Sequence, residues 1–180
     1  MNYDTQEQKR IDSVHSFDLL DTPPDGSFNK LVELAAKVFN VPIAIISLVD
    51  TDRIWFKSHF GLEIQQVPRT PGLCASAILT DEVYIVEDAR NDPRTLANPL
   101  VAGDFGLQFY AAAPLTTRDG YNLGTFCLID KNKRYLNMDQ QFMLKLMASI
   151  TMEEMELRLQ SRQVVKEYNK RMQDWETVKN

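Results

Sequence analysis

The chain has 180 residues, of which 44% are hydrophobic and 25% charged, with a formal net charge of −5 and a pI near 5.1. That length and balance describe a soluble globular domain with a real core and a short appendage, and they exclude a disordered chain. An acidic surface without a basic stripe argues against nucleic acid as a partner, and no run of eighteen apolar residues is available to span a membrane.

The N-terminus, MNYDTQEQKR, is polar and lacks the apolar stretch of a secretory signal. Cys74 and Cys127 lie far apart with no framework of paired spacings, which suits a reducing cytosol, so a cytoplasmic location is expected. His15 and His59 are the only histidines, so a metal site of His and Cys has little to build on, and none is expected.

From Thr5 to Leu20 the chain is charged, with Ile11, Val14 and Phe17 at helical spacing, which predicts a short amphipathic helix. Asp21-Thr22-Pro23-Pro24-Asp25-Gly26 ends it, and Asp25 or Ser27 is placed to cap a second helix. Apolar residues at Phe28, Leu31, Val32, Ala35, Val38 and Phe39 give that second helix one buried face.

Pro42 to Val49 is a nearly continuous β-branched run, as a central strand covered on both faces requires. Asp50-Thr51-Asp52-Arg53 turns the chain into a second strand, Ile54 to Phe60. Gly61 to Pro71 reads as loop, Gly72 to Thr80 as a short helix, and Glu82 to Val86 as a short strand. The stretch from Asp88 to Pro99 is rich in Asp, Asn and Pro and has no period; long loops of this kind are commonly functional. Leu107 to Leu115 and Tyr121 to Ile129 form two more strands around the turn Asp119-Gly120.

From Asn137 onward glycine and proline disappear, and one long helix fits. A 3.5-residue repeat places Met147, Ile150, Glu154, Leu157, Ser161, Val164, Tyr168, Arg171, Trp175 and Val178 on a seam. A helix of about forty residues reaches roughly 60 Å, longer than a small domain is wide, so its far half must project, dimerise or pack elsewhere.

This order of elements suggests an α+β fold: a mixed antiparallel sheet with helices packed on one face. Seven ordered blocks narrow it: LLDTP (19–23), VPIAIISLVDTDRIWFKSHFGL (41–62), PRTPGLCASAI (68–78), VEDARNDPR (86–94), NPLV (98–101), FYAAAPL (109–115) and GYNLGTFCLID (120–130). Together they resemble a bacterial GAF domain of the sensory group found beside histidine kinases, diguanylate cyclases and PAS domains. The resemblance runs from about Asp18 to Leu159. It implies a GAF/PAS-like central antiparallel sheet, with the second and terminal helices on one face and a loop-covered pocket on the other. The chain then divides into an N-terminal helix and connector (1–22), the GAF domain (23–158) and a projecting signalling helix of coiled-coil type (159–180).

In that arrangement the segment 88–106 roofs the sheet, and Trp55, Phe56, Cys74, Asp88, Phe109, Tyr110 and Cys127 are the candidates to line a ligand pocket. Core packing is the plain alternative for each aromatic residue. Asp50, Arg53, Asp88 and Arg94 are candidates for a ligand's charged groups, or else hold turns and loops together. Cys127, within TFCLI, reads as a buried inert thiol, and a two-cysteine redox pair requires the fold to bring Cys74 and Cys127 together.

Members of the family with known chemistry offer three comparisons. Bilin attachment calls for a cysteine in or after the 88–106 segment, and none is found there. Methionine-sulfoxide-reductase members use clustered cysteines, whereas these two are 53 residues apart. Cyclic-nucleotide binders carry an Asn-Lys, aromatic, Asp-Glu signature, which Asn132-Lys133, Tyr135 and Asp139-Gln140 echo in compressed form with Gln140 in place of the acid. A helix start capped near Asn137 or Asp139 accounts for that segment more simply. The cofactor is therefore unknown: no bilin, and no cyclic nucleotide on this signature.

The expected function is a non-catalytic sensory module that binds a small molecule and relays the signal through a homodimer of terminal helices. Met147, Ile150, Leu157, Val164, Tyr168 and Trp175 are the residues expected at the dimer seam, and a kinase or cyclase is the expected output partner. The alternatives are a ligand-free dimerisation or interaction module, and a small thiol redox enzyme, for which no His or carboxylate dyad is available.

Overall fold

The apolar run ahead of Asp50 becomes the inner strand of an antiparallel sheet, and its neighbour across the crossover comes from the far end of the domain. The computed structural model describes the backbone of residues 3–178 and the side chains of residues 5–175. In chain order the elements are α1 (Tyr3–Ser16), α2 (Gly26–Val38), β1 (Ile43–Val49), β2 (Arg53–Phe60), β3 (Gln66–Pro68) and α3 (Leu73–Ala77). They continue with β4 (Tyr84–Val86), α4 (Pro99–Ala102), β5 (Phe109–Thr116), β6 (Asn122–Asp130) and α5 (Met138–Val178). The strand order is β3-β2-β1-β6-β5-β4, with each neighbouring pair antiparallel.

Two apolar layers sandwich this sheet. One face packs α1, α2 and the first half of α5 against Ala44, Ile46, Leu48, Phe109, Ala111, Ala113, Phe126 and Leu128. The other buries Ile43, Ile45, Phe56, Tyr110, Cys127 and Ile129 beneath α3 and the chain around α4. Alternation along β5 explains its sequence. Phe109, Ala111, Ala113 and Leu115 face the helices, while Tyr110 and Ala112 face the cover.

Caps and turn residues set the element ends. Asp25 accepts a hydrogen bond from the Ser27 amide at 3.3 Å and starts α2, which stops where Asn40 adopts a positive φ of 49°. Asn137 and Gln140 form a reciprocal cap at the start of α5, with bonds of 2.9 and 3.0 Å. The segment that echoes the nucleotide-binding signature is thus held by local structure: Asn132 bonds to Asp130, and Asn137 caps the helix.

Two elements have no strong sequence signal. The stretch 61–71 contains the edge strand β3, whose three residues pair with Arg53, Ile54 and Trp55. The segment 88–99, read as loop, runs straight into α4, started by Asn98 accepting from the Leu100 amide at 2.9 Å. Helices also occupy both faces, since α3 and α4 lie opposite the three longer ones.

Gly124 sits where β6 passes closest to β1. A Cβ there would lie 1.8 Å from the Ser47 carbonyl oxygen, which is backbone and has no rotamer to escape into. Gly124→Ala is expected to lower unfolding stability by about 3 kcal/mol, the upper range for overpacking. Denaturant titration checks this, and an unchanged midpoint would refute the close approach.

Candidate functional site

Beneath the cover, a cavity of about 70 Å³ lies between the sheet and the segments carrying α3 and α4. Ile45, Ile54, Phe56, Cys74, Tyr110 and Ile129 are among its walls, with Leu62, Ile64 and Phe105 lining it from the loops and Leu100 from α4. Small-molecule sites usually enclose about 300–1,000 Å³. This cavity holds a few atoms.

The candidate lining residues divide between the two faces. Phe56, Cys74 and Tyr110 line the cavity, and Cys127 lies in the same buried layer beside them. Trp55 and Phe109 do not reach it. Strand alternation turns both toward the helices, where they are 2% and 0% exposed. Asp88 also stands outside, in the loop, ion-paired with Lys133 and accepting from Asn91 at 2.7 Å. These contacts, Lys133 first, hold its carboxyl below the usual range.

A polar cluster is set into this otherwise apolar layer. Tyr110 Oη donates to Cys74 Sγ at 3.2 Å, and the Ser47 and Thr125 hydroxyls meet at 2.9 Å. Cys74 and Cys127 share this buried layer closely enough to influence one another's ionisation, and both are free. The hydrogen bond from Cys127 is the main influence pulling the Cys74 thiol below its ordinary value, against burial; Tyr110, Thr125 and Ser47 add to it. The same contact and burial push Cys127 up, and burial raises Tyr110, which stays a neutral donor. The spacing of 53 residues hid this pair, because α3 carries one cysteine onto the strand that holds the other.

The remaining charged candidates build structure. Asp50 accepts from His15 at 2.8 Å and from the Thr51 amide at 2.8 Å, and pairs with Arg53 at 3.4 Å. Arg53 also grips Asp21 with bonds of 2.8 and 2.7 Å, which ties the connector to the β1–β2 turn. Arg94 pairs with Asp92 and stacks 4.8 Å from the Tyr84 ring centroid. Arg10, buried in α1, donates to the Val49 and Asn122 carbonyls at 2.8 and 3.3 Å, closing the end of the sheet.

On α5 the last fully buried residue is Met155, 0% exposed, and Leu159 one turn on still packs half-buried against the core. Phe142, Leu146, Ile150, Leu157, Val164, Tyr168 and Trp175 are exposed along the helix. At 3.6 residues per turn they fall within about 80° of arc, so they form one stripe. Met147, expected on the seam, is half-buried against the helix-side core instead, and Leu146 takes its place on the stripe. Val178 falls outside the described side chains. Among the described residues, no helix is long and apolar enough to cross a membrane.

The six-stranded antiparallel sheet thus has α1, α2 and the first half of α5 on one face, a cover of loops, α3 and α4 on the other, and a long terminal helix. The GAF domain family model matches residues 23–153, and the chain belongs to that family. It is 42% identical over 132 residues to a cyclic di-GMP phosphodiesterase of Pseudomonas aeruginosa, a match covering 73% of this chain and 22% of that protein. The chain thus spans about a fifth of that relative's length. Among solved structures, it is similar to the GAF domain of an Acinetobacter phosphoenolpyruvate-protein phosphotransferase, with a TM-score of 0.62 and 14% identity, covering 92% of this chain and 98% of the other. The free methionine-R-sulfoxide reductase of Neisseria meningitidis gives a TM-score of 0.62 and 16% identity, covering 87% of each chain. At these identities the likeness concerns the fold alone.

Asp50 yields a pH prediction. Burial raises its pKa, but the bonds from His15, Thr51 and Arg53 outweigh that and hold the carboxyl below its ordinary value. A carboxylate lowered on folding stabilises the fold above its unfolded pKa of about 3.9, and this stability is lost as pH falls through the lower folded value. Thermal midpoints are expected to drop below about pH 4. Asp50→Asn should flatten that acid limb; an equally steep limb in the variant would exclude Asp50 as a source.

Proposed function

We propose that this GAF domain is the input part of a bacterial signalling protein, in which the state of the covered cavity is relayed through a dimer of α5 helices. The exposed stripe on α5 carries this reading. Beyond Leu159, the last residue packed against the core, α5 continues for about 28 Å to Val178 and carries Val164, Tyr168 and Trp175 on its exposed stripe. Such a seam suits a parallel two-stranded coiled coil, where small shifts of rotation or register pass between modules. The relative with 42% identity is a cyclic di-GMP phosphodiesterase, which favours an output in cyclic-dinucleotide turnover over a kinase.

The stimulus in this reading is a small molecule, and the cavity of about 70 Å³ limits it to a few heavy atoms unless the α3–α4 cover opens. The same small volume favours a second reading, a ligand-free dimerisation module with a collapsed core. Native mass spectrometry of freshly purified protein separates the two: a retained adduct supports the sensor, and the bare chain mass supports the second reading.

The dimer has its own test. Light scattering at micromolar concentration is expected to give twice the chain mass, and a single-chain mass would sink the relay. Val164→Glu with Tyr168→Glu is expected to weaken self-association at least about tenfold without moving the thermal midpoint of the sheet domain.

A further inference from the structure

The buried thiol pair is chemistry that a passive core does not need. Cys74 and Cys127 are neighbours in one buried, otherwise apolar layer, with Tyr110 hydrogen-bonded to Cys74, and neither belongs to a metal-binding group among the described residues. Cys127 is 0% exposed and Cys74 7%, so bulk solvent meets neither directly. The cavity does meet Cys74, together with Tyr110, whose hydroxyl points at the Cys74 sulfur from 3.2 Å. Its outer wall includes Ile64, 46% exposed, between the β2–β3 connection and α4. A cavity of about 70 Å³ holds a reactant only slightly larger than water, whose share of liquid volume is about 30 Å³.

From this juxtaposition of two facing thiols, a phenol donor and a narrow apolar cavity, we propose that Cys74 and Cys127 form a redox site that reacts with small hydroperoxides. The ionised Cys74 sulfur attacks one peroxide oxygen, the O–O bond breaks, and Cys74 becomes a sulfenic acid. The departing oxygen takes a proton from the Tyr110–Cys127 hydrogen-bond network and leaves as water or a small alcohol. Cys127, as thiolate, then attacks the Cys74 sulfur: the S–S bond forms, the S–O bond breaks, and the hydroxyl takes up the proton released when Cys74 ionised and leaves as water. In sum, two thiols and one hydroperoxide give one disulfide, one alcohol or water, and one water. The sulfurs lose two electrons, which the O–O bond accepts.

Tyr110 has a defined part in this scheme. Its bond to Cys74 steadies negative charge on that sulfur, and burial keeps the phenol protonated and able to donate. The direction of the thiol shifts agrees with the order of events, since Cys74 ionises first and Cys127 second. This chemistry stands apart from the relay through α5. It holds whether or not the helices dimerise, because every group involved lies within one chain.

The experiment is oxidation of the full chain with hydrogen peroxide at neutral pH, followed by alkylation and peptide mass spectrometry. A disulfide joining the peptides that contain Cys74 and Cys127 is expected, and dithiothreitol should reverse it. Cys127→Ser, which removes the resolving thiol but keeps a hydrogen-bonding group beside Cys74, is expected to stop at a sulfenic acid on Cys74 that dimedone traps. Tyr110→Phe, which keeps the ring in its packing, is expected to slow oxidation at least about tenfold. Cumene hydroperoxide, too bulky for the cavity, should react far more slowly than hydrogen peroxide. Two free thiols recovered from the folded protein after peroxide, or linkage formed only in denaturant, would overturn the proposal. So would Cys74 in Cys127→Ser reacting no faster than free cysteine.

Discussion

The central strands β1, β6 and β5 are dry on both sides, and much of the molecule depends on that. Buried backbone amides and carbonyls in these strands have no water to turn to, so the ladder between strands must satisfy them. At Gly124 the ladder leaves no room for a side chain, since a Cβ there would run into the Ser47 carbonyl. With both faces closed, side chains divide by alternation alone, and neighbours in sequence end up in separate layers. Trp55 and Phe56 are adjacent, yet one packs against the helices and the other walls the cavity.

Polar groups caught between such layers are therefore informative. Ser47 and Thr125 satisfy each other across the β1–β6 pair, and Asn122 bonds to the chain leaving α3 through the Ile78 and Thr80 carbonyls. These contacts hold α3 over the sheet. Cys74 and Tyr110 extend the same small polar island toward the cavity. The cover is thus fixed by a handful of directed bonds and an apolar floor, while the first half of α5 rests on the opposite face through the apolar core.

The sequence made the long elements plain, because period and apolar runs are strong over many residues. The PIAIISLV run, the α2 face and the α5 helix were all legible. The three-residue β3 and the four-residue α4 were not, since segments so short have no period and their pairing comes from tertiary contact. The site was half legible. Blocks of residues indicated which segments surround the cavity, but strand phase decided which side chains enter it, and Trp55 and Phe109 fell on the wrong side by one residue of alternation. The proximity of Cys74 to Cys127 is a product of topology, which brings α3 over β6 and which sequence spacing does not encode. Met147 shows the same limit on a helix: a seven-residue repeat fits it, yet the sheet claims that side of the turn.

The place where α5 leaves the domain is clasped by the connector and not by the sheet. Arg158 bonds to Asp25 at 2.6 Å and Arg162 to the Asp18 carbonyl at 2.6 Å, while Lys57 of β2 holds Thr22 and Pro23 at 2.8 and 2.9 Å. The chain segments before and after the sheet therefore share one fulcrum. A helix extending about 24 Å beyond Arg162 to Val178 works as a lever, and a tilt of about 2.5° at the clasp carries its tip through roughly 1 Å. Displacement applied to the connector is thereby magnified along α5 without any rearrangement of the six strands.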